Sequence, residues 1–185
     1  MRINSKKIKK KISGRNVILE NIQLKHFYDL SEYSKIKSFY RYFEYEHFKT
    51  SKQVKSYLNK IISESKSKNT QYWAIIFKNE KKCVGTICVK NFNRTRNSIE
   101  IGYGLNPKYQ NKSLFNESLK ILLNYLSKYL KIRRVYAITA TKNSPSIYAL
   151  KKLKFKIEGE MVDFYKSYKE KYFNAFILSR LFKKN

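Results

Sequence analysis

The spacing of apolar residues changes several times along this chain, and each change marks a predicted element. Polar, cationic sequence from Met1 to Arg15 reads as a frayed arm, and Val17-Ile18-Leu19 after it is a short strand. Leu24, Phe27, Tyr28 and Leu30 then fall at mixed three- and four-residue spacing, one face of a helix. Aromatic-rich Phe39-Tyr40-Arg41-Tyr42-Phe43 leads to Thr50-Ser51, hydroxyl residues suited to cap a helix through Val54, Leu58 and Ile61-Ile62.

A block of strands follows. Tyr72 to Lys78 is apolar and β-branched, and Asn79-Glu80-Lys81 turns it back into Cys83 to Val89. Polar Asn91 to Asn97 makes a second turn before Ser98 to Leu105, so the three strands predict an antiparallel meander. Phe115, Leu119, Leu122, Leu126 and Leu130 restore a helical period over about four turns. Arg134 to Ala140 reads as a buried strand. Ser144-Pro145 starts a short helix, with a capping hydroxyl and then proline at the first helical position, ending near Leu153-Lys154. Phe155 to Phe164 and Tyr172 to Leu181 close the chain as two strands. The order β, α, α, β, β, β, α, β, α, β, β predicts a mixed α/β (α+β) fold, with one domain over 16–185 behind a basic arm over 1–15.

Composition agrees with a globular chain: 42% of its 185 residues are hydrophobic, and 5 Gly and 2 Pro leave little room for a linker. The charge balance is extreme, with 41 Lys and Arg against 13 Asp and Glu, formally +28. Two readings stay open. A basic surface suits a polyanionic partner such as RNA, an acidic protein, a sugar nucleotide or coenzyme A. Alternatively, an A+T-rich genome inflates Lys, Asn, Ile, Tyr and Phe together, and 16 Tyr and 12 Phe accompany the lysines here. Cys83 and Cys88 share one predicted strand, and their five-residue separation sends them to opposite faces, so no metal pair and no metal site is expected. They read as reduced thiols of a cytoplasmic protein. The basic start has no apolar segment behind it, and no apolar run reaches the roughly 18 residues of a membrane span.

Three segments together resemble the GNAT superfamily, and within it the branch of ribosomal-protein N-terminal acetyltransferases and spermidine acetyltransferases. They are Ile99-Glu100-Ile101-Gly102-Tyr103-Gly104-Leu105 leading to Tyr109-Gln110; Asn143-Ser144-Pro145-Ser146 leading to Leu150-Lys151-Lys152-Leu153-Lys154-Phe155; and Glu158-Gly159-Glu160. The resemblance runs from about Asn16 to Leu181. It implies a mostly antiparallel sheet of about seven strands, splayed in the middle and flanked by helices. It also implies an acyl-CoA-dependent N-acetyltransferase that takes acetyl-CoA and an amine acceptor, as a monomer or homodimer.

The family's pyrophosphate loop, Gln/Arg-x-x-Gly-x-Gly/Ala, falls on Gln110-Asn111-Lys112-Ser113-Leu114-Phe115. In the family, backbone N–H groups there meet the phosphates at the start of a helix. Gln110 matches, while Ser113 stands where glycine is usual and Phe115 where the family has Gly or Ala. Ser113 can still present its N–H, Lys112 can add charge, and Phe115 either points at the phosphates or turns into the core. The resemblance also places Tyr103 and Leu105 of the preceding strand against the cofactor.

The amine attacks the thioester directly in this family. That chemistry needs a proton acceptor for the amine, an oxyanion stabiliser and a donor to the leaving sulfur. The resemblance implies Ser146 as the donor, with Asn143 holding the cofactor; many members carry a tyrosine where Leu150 stands, and Tyr148 is a weaker substitute. Glu100 alternates with Ile99 and Ile101, so it shares a face with Gly102 and Gly104, whose missing side chains leave a strip open to a ligand. A carboxylate there is the candidate base, and an ion pair with one of the lysines is its structural alternative. Ser146 and Asn143 have structural alternatives too, in a first-turn or capping role. His26 and His47 lie away from every motif. Acceptor choice is expected from Tyr40 to Tyr45 and Lys166 to Lys171, an aromatic and cationic lining suited to a sugar nucleotide or acidic protein N-terminus rather than a polyamine. The competing expectation is a catalytically degenerate module that holds RNA or another polyanion on its basic surface.

Overall fold

Among the described residues, eight strands form one sheet, in the order β1-β2-β3-β4-β5-β6-β8-β7. A computed structural model describes residues 9–66, 70–166 and 171–183. The strands are β1 (Lys11–Ser13), β2 (Val17–Asn21), β3 (Gln71–Phe77), β4 (Lys82–Asn93), β5 (Ser98–Leu105), β6 (Arg134–Ala140), β7 (Lys156–Lys166) and β8 (Tyr172–Leu181). The helices are α1 (Phe27–Tyr33), α2 (Ser51–Lys66), α3 (Leu114–Lys128) and α4 (Ser144–Lys152), with short 3-10 turns between some elements.

The predicted order holds, with one strand added. Lys11–Ser13 is not a frayed arm but pairs antiparallel with β2, Ile12 opposite Leu19. Its short alternating pattern, Lys-Ile-Ser, turns Ile12 onto the main core. Residues 1–8 of that arm lie outside the described residues, as do 167–170 of the loop expected to choose acceptors.

Two cores sandwich the sheet. One face, carrying Trp73, Ile75, Ile87, Ile99, Ile101 and Val135, packs against Leu119, Leu122 and Leu126 of α3 and Leu150 of α4. The other, carrying Ala74 and Cys83, packs against Leu30 and Tyr33 of α1 and Val54, Leu58 and Ile61 of α2. Thr50 and Gln53 cap α2 reciprocally: the Gln53 N–H donates to Thr50 Oγ1 (3.3 Å) while Gln53 Oε1 accepts from the Thr50 N–H (3.0 Å).

A bulge in β4 overturns the parity expected of the cysteines. Ile75 pairs with Gly85 but Ile76 with Cys83, so Val84 is an extra residue and the alternation resets there. Cys83 opposes Ile76 and Cys88 opposes Tyr72, and both partners pack into the α1–α2 cluster. The two thiols therefore lie on one face, both free and buried. Burial raises the Cys83 thiol to about 12 and that of Cys88 to about 11, which keeps both protonated and inert. Among the described residues no group of His, Cys, Asp and Glu could hold a metal, and no helix is long and apolar enough to cross a membrane.

Candidate active site

The centre of the sheet opens. β5 and β6 form its only parallel pair among the described strands, and that ladder spans Ser98 to Glu100 opposite Arg134 to Tyr136. The phase of the neighbouring ladders shows which groups the opening exposes. The Asn106 N–H donates to the Val84 carbonyl (2.8 Å), so even-numbered residues of β5 bond towards β4 and odd-numbered ones face away. Beyond the last rung, the N–H and C=O of Tyr103 and Leu105 thus face the gap, with no strand opposite among the described residues. On the far side, the Thr141 N–H donates to Asn174 O (3.0 Å), so odd-numbered residues of β6 bond to β8 and even-numbered ones face the gap. The Tyr165 hydroxyl enters from β7 and donates to one of these, the Ile138 carbonyl, at 3.2 Å.

Ser146 lies in the first turn of α4, only 8% exposed, and is linked to this opening through Tyr103. Its Oγ is 2.8 Å from the Tyr103 hydroxyl, a pair in which either atom can donate. Asn143 is the N-cap of α4, its Oδ1 accepting the Ser146 N–H at 3.4 Å. The capping residue is therefore Asn143 and not Ser144: the asparagine carbonyl reaches the N–H three residues on, whereas Ser144 is already helical. Leu150 is fully buried in the core, and Tyr148 stands 69% exposed on α4, not enclosed with Ser146. The resemblance drew attention to Ser146 and Tyr103 separately. Their contact crosses 43 residues, and nothing in the spacing of either signals it.

Phe115 resolves into the inward alternative. Its ring packs on Tyr103, centroids 4.5 Å apart, and joins the main core, so it does not block the start of α3. Gln110, Asn111, Lys112 and Ser113 are exposed, and Leu114 is buried beneath them. Asn111 and Ser113 both adopt left-handed backbone, φ 62° and 59°. Ser113 thus keeps the conformation for which glycine is usual, at a steric cost of about 1–2 kcal/mol. The Ser113 side chain does not cap α3, and the Glu117 N–H bonds back to Ser113 O at 3.0 Å. The N–H groups of Leu114, Phe115 and Asn116 precede that first helical bond and point out of the helix end. Lys112 Nζ lies 5.0 Å from the Tyr109 ring centre, beside this loop.

Glu100 occupies a different cluster. It is buried on the α1–α2 side, at the last rung before the gap, with Oε1 3.0 Å from Lys90 Nζ and Oε2 accepting from Asn91 Nδ2 at 2.8 Å. Its charge also raises the Tyr136 phenol, after burial the main cause of that shift. The strip above Gly102 and Gly104 is not open along its length. A Cβ at residue 104 would lie 2.8 Å from Phe39 Cζ, and one at residue 102 would lie 3.1 Å from Cys88 Sγ. The glycines make room for the protein's own side chains, chiefly an aromatic layer in which Phe39 stacks with Phe43 and meets Tyr33 and Tyr40 edge-on. That layer is tied across to the turn between β6 and α4 by the Tyr42 hydroxyl, which donates to Lys142 O at 2.8 Å. His26 and His47 take no part; His26 is buried and accepts the Gln23 N–H at Nδ1 (3.1 Å).

A mostly antiparallel sheet that parts at its one parallel pair among the described strands, beside a helix whose N-cap side chain makes no cap bond, has the form of an acyl-group transferase. The chain belongs to the GNAT acetyltransferase family: the family's Acetyltransferase (GNAT) domain matches residues 16–156. It is 27% identical over 148 residues to the uncharacterized N-acetyltransferase YnaD of Bacillus subtilis (strain 168), covering 80% of this chain and 84% of that one. Among solved structures, a GNAT-family acetyltransferase from Bacillus anthracis superposes with a TM-score of 0.81 at 22% identity, covering 92% of this chain and 98% of that one. The ribosomal L7/L12 alpha-N-protein acetyltransferase RimL, in complex with coenzyme A, superposes with a TM-score of 0.82 at 16% identity, covering 92% and 97%. The fold is thus shared with the ribosomal-protein branch that the sequence resembles.

Proposed function

We propose that this N-acetyltransferase moves the acetyl group of acetyl-CoA to a primary amine by direct attack, with Ser146 as the proton donor to the departing sulfur. The observation that supports the reading is the 2.8 Å contact of the Ser146 hydroxyl with that of Tyr103, a residue whose backbone faces the β5–β6 gap. The residues present fit the co-substrate. Backbone N–H groups from Ser113 to Asn116 and the positive end of the α3 dipole suit the pyrophosphate, with Gln110, Asn111 and Lys112 beside them. Tyr103 and Leu105 offer backbone donors and acceptors to the amide-bearing arm, as a neighbouring strand would. Leu114 and Phe115 form the floor under the loop, and Asn143 orients Ser146. When bound, acetyl-CoA supplies the activated acyl group.

Glu100 enters this reading on the acceptor face of β5. Both its oxygens are engaged, so taking a proton from the amine requires exchange of the Lys90 or Asn91 contact. The geometry favours an anchor that sets where the sheet opens. The acceptor is a protein N-terminus, an amino sugar or a small-molecule amine, and the aromatic and cationic composition of the segments Tyr40 to Tyr45 and Lys166 to Lys171 favours acidic acceptors over polyamines. Nothing about the polyanion-binding module is favoured by the loop, since Phe115 turns inward and Ser113 keeps the left-handed backbone.

Calorimetric titration with acetyl-CoA tests the reading. Micromolar binding is expected, and no heat at millimolar co-substrate would overturn it. An acceptor panel then tests the substrate class, with preferential turnover of spermidine as the result that would sink the acidic-acceptor assignment.

A further inference from the structure

The paired hydroxyls do more than fix a rotamer. We propose that Tyr103 and Ser146 form a two-hydroxyl proton relay, in which the phenol of Tyr103 recharges Ser146 as Ser146 protonates the leaving sulfur, and that Phe115 holds Tyr103 in place for it. The proposal rests on the reading of Ser146 as proton donor and deepens it.

The need for a relay follows from acidity. An aliphatic hydroxyl is an acid roughly as weak as water, whereas a phenol is intrinsically several orders of magnitude stronger. A serine that gives up its proton alone would be left as a high-energy alkoxide. A serine that takes a proton from a phenol in the same event is not. The Ser146 O–H bond breaks as the S–H bond forms, the Tyr103 O–H bond breaks as the Ser146 O–H bond re-forms, and the negative charge ends on the phenolate. Solvent returns to Tyr103 the proton that the attacking amine releases, so the cycle balances without another reagent.

The site is built for this direction of transfer. The two oxygens are 2.8 Å apart. Asn143 Oδ1 accepts the Ser146 N–H, which fixes the backbone of the serine and leaves its hydroxyl for the sulfur and the phenol. Burial raises the Tyr103 phenol above its ordinary value and the bond to Ser146 partly offsets this, which keeps the proton on Tyr103 at neutral pH. It also narrows the acidity advantage over serine, so the transfer depends on the short contact rather than on acidity alone. The tilted stack of Phe115 on Tyr103, with centroids 4.5 Å apart, restricts the phenol ring. It also gives a reason for a large ring where the family pattern has Gly or Ala.

The test uses the full chain and four forms: wild type, Tyr103→Phe, Ser146→Ala and the double variant. Thermal melts establish that each is folded. Tyr103→Phe is expected to lower kcat by about tenfold to a hundredfold while calorimetric acetyl-CoA affinity stays within about threefold, because only the transferred proton is lost. The double variant is expected to be no slower than Ser146→Ala, since members of one relay act as a unit. Additive losses, or a Tyr103→Phe enzyme as fast as wild type, would overturn the relay and leave the acetyltransferase reading standing. Failure of the wild type to bind acetyl-CoA would remove both. Two readouts separate relay from packing. With 3-fluorotyrosine at position 103, whose ring packs as tyrosine does but whose phenol is the stronger acid, kcat at neutral pH should rise, and an unchanged kcat counts against the proposal. In the enzyme without co-substrate, its fluorine resonance should shift on Ser146→Ala, and an unchanged resonance would mean that the pair does not form in solution.

Discussion

The ring of Phe115, in the first turn of α3, lies against the ring of Tyr103 on β5, with 4.5 Å between centroids. A residue that departs from the family's glycine or alanine is therefore part of the packing that joins helix to strand. Replacing it by the family residue, Phe115→Gly, is expected to cost about 2–3 kcal/mol, from lost ring contacts and a flexible residue in a helix. Urea unfolding measures this. Acetyl-CoA affinity should not rise, because the ring does not occupy the phosphate position; a marked gain in affinity would reverse that assignment.

Ser113 behaves in the opposite way. Its φ of 59° is one that glycine adopts without strain. Ser113→Gly is expected to stabilise the chain by about 1 kcal/mol and to leave acetyl-CoA affinity nearly unchanged. Ser113→Val should weaken both, as a β-branched residue resists left-handed backbone. Equal melting temperatures for the three forms would show that the loop adapts around the substitution.

Glu100 distinguishes an anchor from a base. Glu100→Gln keeps an acceptor for Asn91 but removes the ion pair with Lys90, whose Nζ is 3.0 Å from the carboxylate. The expected loss is about 1–2 kcal/mol of stability, with the acidic limb of the kcat profile in place. Disappearance of that limb, with stability intact, would identify Glu100 as the proton acceptor.

Acid stability should depend on Glu117. Its Oε1 accepts the N–H groups of Asn16 (2.8 Å) and Val17 (3.3 Å), and Oε2 accepts from Asn16 Nδ2 (2.9 Å), fastening the start of β2 to α3. Burial raises its carboxyl, but the donors from Asn16 and Val17 more than offset this, and the net shift is downward. A depressed folded-state pKa contributes stability above the ordinary carboxylate value, lost as pH falls through the lowered one. Glu117→Gln should therefore be less stable than wild type at neutral pH. The difference should shrink in acid, and a constant difference from neutral pH into acid would exclude this linkage.

Much of the fold was legible because apolar spacing is a local property. The limits of β5, β6 and β8 coincide with the predicted ones, since each strand is bounded by turn residues or a change of period. Lys11–Ser13 escaped notice because three residues are too few to show alternation. The faces of Cys83 and Cys88 were misread because parity arguments assume an unbroken ladder, and the extra residue Val84 breaks it. The strip at Gly104 looked open because the ring that fills it, Phe39, comes from a distant segment.

The sequence by itself determined the elements, their order and the resemblance that pointed to Ser146, Asn143 and the loop from Gln110 to Phe115. Those are encoded in neighbouring residues. Only the tertiary structure decided that the Phe115 ring turns onto Tyr103, that Tyr103 meets Ser146 across 43 residues, and that Glu100 is closed in by Lys90 and Asn91. Each of those depends on strand register and helix placement, which arise when the whole chain packs and which no local spacing records.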